Sequence, residues 1–294
     1  MQMRSILVLF LTFCLSFSVF AQPDWLTTKV FNSPERKKQL WIYWGYNRGQ
    51  YTKSDIHFTG PGYDFTMKDV IAKDRQTPFD ASIYFGPRLW TVPQYNFRIG
   101  YFIGERFSLS IGHDHMKYVA KQDQILTVTG SIDSSASSLY AGTYSDKVMP
   151  MSSNFMRFEH TDGLNYISVE GDFYGHLWRS KSGKQNLDFY LGLGLGIVYP
   201  RSEVDMFDIE GANVFHFAGW GTALQAGLRF DILPQLFINF SVKSGFINMF
   251  NVITMAHDHS AKHKFFFLQE MGTIGFSLNR FNRKMKEEKS NQSN

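Results

Sequence analysis

Between Asn165 and Trp178 the chain alternates residue by residue, with Ile167, Val169, Phe173 and Leu177 on one face and Ser168, Glu170, Asp172, Tyr174 and His176 on the other. One face suits hydrocarbon, the other water or ion pairs. From Leu187 to Tyr199, Leu187, Phe189, Leu191, Leu193, Leu195 and Ile197 face away from Asp188, Tyr190, Gly192, Gly194 and Gly196. Large residues outside and glycine inside suit a narrow, tightly curved barrel. Phe215 to Ile232 sets Trp220, Leu224, Leu228, Phe230 and Ile232 against Gly219, Gly221, Gln225, Arg229 and Asp231, and Leu236 to Val242 alternates likewise. Tyr95 to Ile103, Phe107 to Val119, a first series from Leu40 to Tyr46 and a last of Ile274, Phe276 and Leu278 complete eight principal strands.

Every second connection is minimal: Gly104-Glu105, Ser180 to Lys184, and Leu233-Pro234-Gln235. About 40 residues separate the first strand from the second, and a similar number the third from the fourth, lengths that speak against a compact soluble domain. They match an antiparallel up-and-down transmembrane barrel with short periplasmic turns and long extracellular loops. Strands of about 11 to 17 residues exceed the ~9 to 11 that cross hydrocarbon, so several should project beyond the outer surface. In the first long loop, Asp55 to Thr59, Gly60-Pro61-Gly62 and Tyr63 to Ile71 predict a hairpin above the membrane. In the second, Gln124 to Gly130 and Phe155 to Glu159 flank a serine-rich stretch, Ser131 to Ser138. Placed inside the membrane, these pairs would raise the count to ten or twelve; their polar residues on both faces favour eight.

Composition narrows the class further. The 294 residues are 44% hydrophobic and include 29 Phe, 14 Tyr and 6 Trp, which excludes a disordered chain. A net charge of +4, spread along the chain, gives no reason to expect a nucleic-acid partner. Beyond residue 21 no apolar run approaches the ~18 to 20 residues of a membrane helix. Residues 1–21 themselves, with Arg4, an apolar stretch from Ile6 to Phe20 and the ending Val19-Phe20-Ala21, read as a signal peptide cleaved before Gln22. The one cysteine, Cys14, lies within it, so the mature chain would have neither disulfide nor thiol catalysis. The expected organisation is a signal peptide at 1–21, a periplasmic segment at 22–37, the barrel at 38–281 and a polar periplasmic tail at 282–294.

The strand ending Gly275-Phe276-Ser277-Leu278-Asn279-Arg280-Phe281 looks like the C-terminal sorting signal of outer-membrane barrels, though a polar tail follows its final aromatic. Over about residues 38 to 281 the chain resembles, in architecture and not in motif, the eight-stranded outer-membrane barrels of Gram-negative bacteria. That group includes OmpA-type barrels and the lipid A deacylase and palmitoyltransferase barrels. The resemblance implies residence in the outer membrane among lipid and lipopolysaccharide, with the outer-membrane assembly machinery as a partner.

An eight-stranded interior is just wide enough for side chains to fill. Arg98, Glu170, Asp172, Asp188, Arg229, Asp231 and Lys243 are predicted to face it, nearly balanced in sign, and so to plug it with ion pairs. A channel would need more strands or an excess of one charge. Gly192-Leu193-Gly194-Leu195-Gly196 resembles part of a nucleotide loop, but it lies in a strand with no following helix and reads as lumen packing.

Histidines supply the candidate chemistry. His113-Asp114-His115 and His257-Asp258-His259 are His-x-His pairs, which put two imidazoles on one side of an extended chain. With His263 they make His113, His115, His257, His259 and His263 a candidate set for a divalent metal; no other cofactor is expected. Trp90, His160 and Asp162 form a candidate binding set. Alternation carries His113 and His115 outward unless a bulge at Gly112 reverses them, and carries Glu270 outward unless the strand slips near Gly272. The resemblance to lipid A enzymes implies an alternative, an acyl hydrolase or acyltransferase using Asp114, His115, His259, Ser260 and Glu270. The deacylase pattern of a His and a nearby Ser on one strand face is missing. Trp41, Trp44, Trp178 and Trp220 read as interfacial girdles. The leading reading is non-catalytic, a structural or surface-binding barrel acting through its loops, with the lipid-modifying enzyme and a small-solute channel as alternatives.

Overall fold

The computed structural model describes residues 36–256 and 258–278. The predicted signal peptide, the polar tail and His257 lie outside them. Among these residues fourteen strands are formed: β1 Leu40–Tyr51, β2 Ser54–Gly60, β3 Tyr63–Val70, β4 Ala72–Lys73, β5 Tyr95–Phe102, β6 Phe107–Ala120 and β7 Ile125–Ile132 in the first half. The second half contributes β8 Gly142–Pro150, β9 Met156–Arg179, β10 Asn186–Val198, β11 Glu203–Met206, β12 Gly219–Asp231, β13 Leu236–Ile253 and β14 Ser260–Ser277. One short helix, α1 Ala81–Tyr84, is capped by the Asp80 carboxylate, which accepts from the Ser82 backbone N–H.

Eight of the strands close into a ring in chain order, β1-β5-β6-β9-β10-β12-β13-β14, all antiparallel. The seam is the β14–β1 pairing, which runs from Trp41↔Ser277 to Tyr51↔Phe267. These are the eight strands that the alternation predicts. The polarity of each face also follows the prediction: Leu191, Leu193, Leu195 and Ile197 are exposed on the outside of β10, while Asp188 and Tyr190 are buried inside. Leu224, Phe240, Ile274 and Phe276 extend the same exposed apolar belt around the ring. An apolar surface of this extent is unfavourable in water and favourable against hydrocarbon. Short turns and both described chain ends lie at one end of the ring, which is the periplasmic end of such barrels.

Beyond the belt the chain builds upward. The predicted first-loop hairpin is β2-β3, and β2 joins the top of β14 from Ser260↔Thr59 to His263↔Ile56. The sheet continues as β2-β3-β7-β8, while β4 pairs with β6 and β11 with β9. Above the belt the polarity of inward positions reverses. On β6 they read Ser108, Ser110, Asp114 and then Met116, Tyr118; on β13 they read Asn239, Lys243 and then Ile247, Met249. The upper positions join Phe58, Phe65, Phe155, Phe158 and Phe265 in one buried apolar core.

Several expectations need correction. Phe155 to Glu159 does not pair with Gln124 to Gly130; residues from Met156 onward begin β9, and the partners of β7 are β3 and β8. Sequence alternation could not reveal β8, because most of its residues are exposed on both faces. Residues 215–218 precede β12 instead of belonging to it, and β13 and β14 run well above the belt. Trp41 is not a girdle residue: it points into the lumen, 2% exposed, and stacks on Tyr43 at 5.5 Å. Gly100 makes room for it, since a Cβ there would lie 2.2 Å from the indole ring.

Candidate functional site

All seven predicted lumen charges are inside and buried, and they form two layers. In the middle layer Lys243 Nζ donates to Asp114 Oδ2 at 2.6 Å and to Glu170 Oε1 at 2.7 Å. Arg98 Nη2 donates to the same Glu170 oxygen at 2.7 Å and to Ser168 Oγ at 2.9 Å. Gln225 Nε2 bridges Glu170 and Asp172 at 2.8 and 2.6 Å. These bonds span β5, β6, β9, β12 and β13, so the barrel walls are tied across the lumen. In the periplasmic layer Arg36 Nη2 donates to Asp188 and, at 2.9 Å, to Asp231 Oδ2, while Arg229 Nε holds Asp231 Oδ1 at 2.9 Å. His176 Nδ1 is 2.9 Å from Asp188 Oδ1. Arg36 precedes the first strand and carries no alternation signal, so the sequence pattern did not mark it. Trp41, Tyr43, Phe102, Tyr174, Tyr190 and Phe237 fill the remaining space.

The histidine candidates occupy three separate places. His113 and His115 face outward, as unbroken alternation requires, and Gly112 carries no bulge. The irregularity lies higher, between Met116 and Tyr118, where β9 contributes extra residues around Gly163 at φ 133°. Both imidazoles meet Asn165 Oδ1, His113 through Nε2 at 2.8 Å and His115 through Nδ1 at 2.9 Å. The other side of the amide is fixed by donation from Nδ2 to the Tyr199 carbonyl at 3.1 Å. Tyr95 stacks on His115 with centroids 4.9 Å apart. Asn165 shares the outward parity of Ile167, and a polar residue at the top of a lipid-facing row was the available sign of it. Asn165→Leu should leave two buried or half-buried imidazole donors unpaired and cost about 1–3 kcal/mol, read from urea unfolding of the refolded protein in micelles.

Further up, His259 Nδ1 and Tyr63 O–H are 2.7 Å apart, and Ser260 Oγ lies 3.1 Å from Thr59 Oγ1. Both contacts pin the β13–β14 connection to the β2-β3 hairpin. Burial pushes the Tyr63 phenol up to about 12, so it stays an O–H donor at neutral pH. His160 and His263 form the third place, inside the upper core, with ring centroids 5.9 Å apart.

The candidate sets therefore do not assemble as groups. Asp114 is in the lumen on Lys243, His115 is on the outer wall, His259 and Ser260 are at the hairpin, and Glu270 is exposed opposite Arg48 on the outer face of the seam. Glu270 thus keeps the outward parity of Ile274, with no slip at Gly272. Of the binding set, Trp90 stacks on Trp44 at 4.9 Å outside the barrel, His160 is in the core, and Asp162 pairs with Arg201 at 2.9 Å. Phe79 and Phe85, each about three-quarters exposed, precede Trp90 in the same loop. His113 and His115 lie on β6 against Asn165, His259 against Tyr63 and His263 on β14, and among the described residues no group of three or more His, Cys, Asp or Glu is placed to hold a metal.

No family model matches the sequence, and neither does any curated protein. Solved structures similar to the chain include Neisserial surface protein A, 8% identical, with 81% of this chain and 97% of that one covered and a TM-score of 0.35. Outer membrane protein OprG from Pseudomonas aeruginosa is 9% identical over 83% of this chain and 97% of its own, with a TM-score of 0.37. The attachment invasion locus protein Ail of Yersinia pestis is 12% identical over 81% and 99%, with a TM-score of 0.28. Likeness at these scores carries no detail of a site; the closed ring, the apolar belt and the filled lumen carry the assignment. The chain is an eight-stranded antiparallel β-barrel of the outer-membrane type.

Proposed function

We propose that this protein is a non-conducting barrel that holds a β-sheet platform above the outer membrane to bind a surface polysaccharide. The observation behind the reading is where the chain invests its length. Its lumen is filled by ion pairs, whereas its two longest connections build β2-β3-β7-β8 and a dry core beyond the belt. At the hairpin tips a cleft of about 360 Å³ is lined by Ser134, Ser135, Ser137, Ser138 and Tyr140, with Phe207 and Asp208 on its far side. Hydroxyls and a carboxylate beside aromatic rings suit a sugar, whose O–H groups exchange hydrogen bonds while its C–H face packs on a ring. β8 ends the sheet, and its outer edge offers further backbone donors and acceptors. Export by cleavage before Gln22, the assembly machinery and lipopolysaccharide as surroundings belong to the same reading.

Isothermal titration of the nanodisc-embedded protein with core oligosaccharide released from lipopolysaccharide tests it. Saturable heat that weakens in the Ser134→Ala/Asp208→Ala variant is expected. Equal affinity in wild type and variant, or no heat beyond dilution, would count against a polysaccharide platform.

A further inference from the structure

The upper core is apolar and aromatic, and two histidines interrupt it. His160 enters from β9 and His263 from β14, on opposite walls of the ring, at 0% and 4% exposure. Their rings lie 5.9 Å apart with planes 28° from parallel. Tyr118 and Phe158 pack against both, and Phe265 against His263. None of the four ring nitrogens has a hydrogen-bond partner in the protein. Each buried, unpaired polar atom costs about 1–3 kcal/mol, so a site that keeps four of them calls for an occupant.

The surroundings decide its chemistry. A divalent cation would bring two charges into a dry core, and among the described residues no group of three or more His, Cys, Asp or Glu gathers there to offset them. A soft, singly charged ion lowers that penalty, which grows with the square of the charge, and accepts a donor set of neutral nitrogens. Directly across the strand from His263 is Met249, fully buried on the same inward face. A thioether beside imidazoles selects for copper(I) over harder metals. Ring centroids 5.9 Å apart are close enough for one ion to reach a nitrogen of each ring, given metal–nitrogen bonds of about 2.0–2.1 Å.

We propose that His160 and His263 form a buried copper(I) site in the extracellular core, with the Met249 thioether as a third donor. The ion would tie β9 to β14 across the ring and add its binding free energy to the stability of the platform. Wall residues His113 and His115 take no part, because they face outward and each commits a ring nitrogen to Asn165 outside the barrel.

The test is an anaerobic titration of the full mature chain, refolded in micelles, with copper(I) in competition with bathocuproine disulfonate. Wild type should withhold one equivalent. Because loss of even an outer-shell partner costs 10- to 100-fold in affinity, His160→Phe and His263→Phe should each weaken binding about 100-fold or more, and Met249→Leu about 10-fold. Phenylalanine suits the aromatic surroundings and removes the unpaired nitrogens, so these variants should fold, as a heat-dependent gel shift will register. A His113→Gln/His115→Gln variant should keep the full equivalent. The copper K-edge spectrum of the wild type, which needs no variant, should show nitrogen and one sulfur scatterer. The proposal fails if wild type surrenders its copper as readily as the His160→Phe/His263→Phe double variant, if the His113/His115 variant loses it, or if the spectrum lacks imidazole scattering.

Discussion

Lys243→Met should destabilise the folded barrel by about 3–5 kcal/mol, the usual consequence of removing one member of a buried ion network. Lys243 is fully buried, and its Nζ is the shared donor to Asp114 at 2.6 Å and Glu170 at 2.7 Å. Without it, Arg98 is left as the cation facing both carboxylates, and its Nη2 lies 3.9 Å from the Asp114 oxygen. Methionine fills a similar volume, so the loss measures charge and hydrogen bonding more than a cavity. Adding Glu170→Gln removes one of the stranded carboxylates and should recover part of the loss, whereas Lys264→Met on the exposed face should change stability by no more than about 0.5 kcal/mol. Urea unfolding in micelles, followed by tryptophan fluorescence, gives all three values. Equal effects at Lys243 and Lys264 would mean that the lumen is hydrated and the network is not a structural tie.

The second large effect is expected at the seam. Gly45 pairs with Thr273 where β1 closes on β14, and a Cβ at Gly45 would stand 2.1 Å from the Gly272 carbonyl oxygen and 2.5 Å from the Thr273 Cα. Both are backbone atoms that cannot turn aside as a side chain can. Gly45→Val should therefore exceed the usual overpacking cost of about 1–3 kcal/mol and prevent closure, read as loss of the folded, heat-modifiable band on gels. Gly272 provides the control from the same seam. Its Cβ would point outward to a Phe240 ring carbon at 3.7 Å, an ordinary contact, so Gly272→Ala should close normally. Failure of both variants alike would show that strand propensity, and not the close approach at Gly45, governs the seam.

The ring was legible in the sequence because the belt imposes one contrast on every strand: Leu, Ile and Phe outward, glycine and charge inward. Where the strands leave the belt that contrast reverses, as when β14 sets Phe265, His263 and Ala261 inward and Lys262 and Lys264 outward. The parity continues but the hydrophobic signal changes face, so the upper parts of β13 and β14 were not apparent. β8 carries no contrast at all because most of it is solvated. The histidines were visible as residue types, and the outward parity of His113 and His115 followed from alternation. Their meeting at Asn165 depends on the β6–β9 register, and the approach of His160 to His263 on the closure of the whole ring, neither of which periodicity encodes. Arg36 escaped notice because a lone cation ahead of a strand looks the same whether it is solvated or drawn into the lumen.

Planar-bilayer recording of the reconstituted protein tests directly whether the lumen is closed by Arg36, Asp188 and Asp231 below and by Lys243, Asp114 and Glu170 at mid-height. The predicted trace shows the barrel inserted, as judged by its heat-dependent gel shift, with no current above that of the bare membrane. Regular ohmic steps that scale with the amount of folded protein would contradict it and mark an open path through the ring.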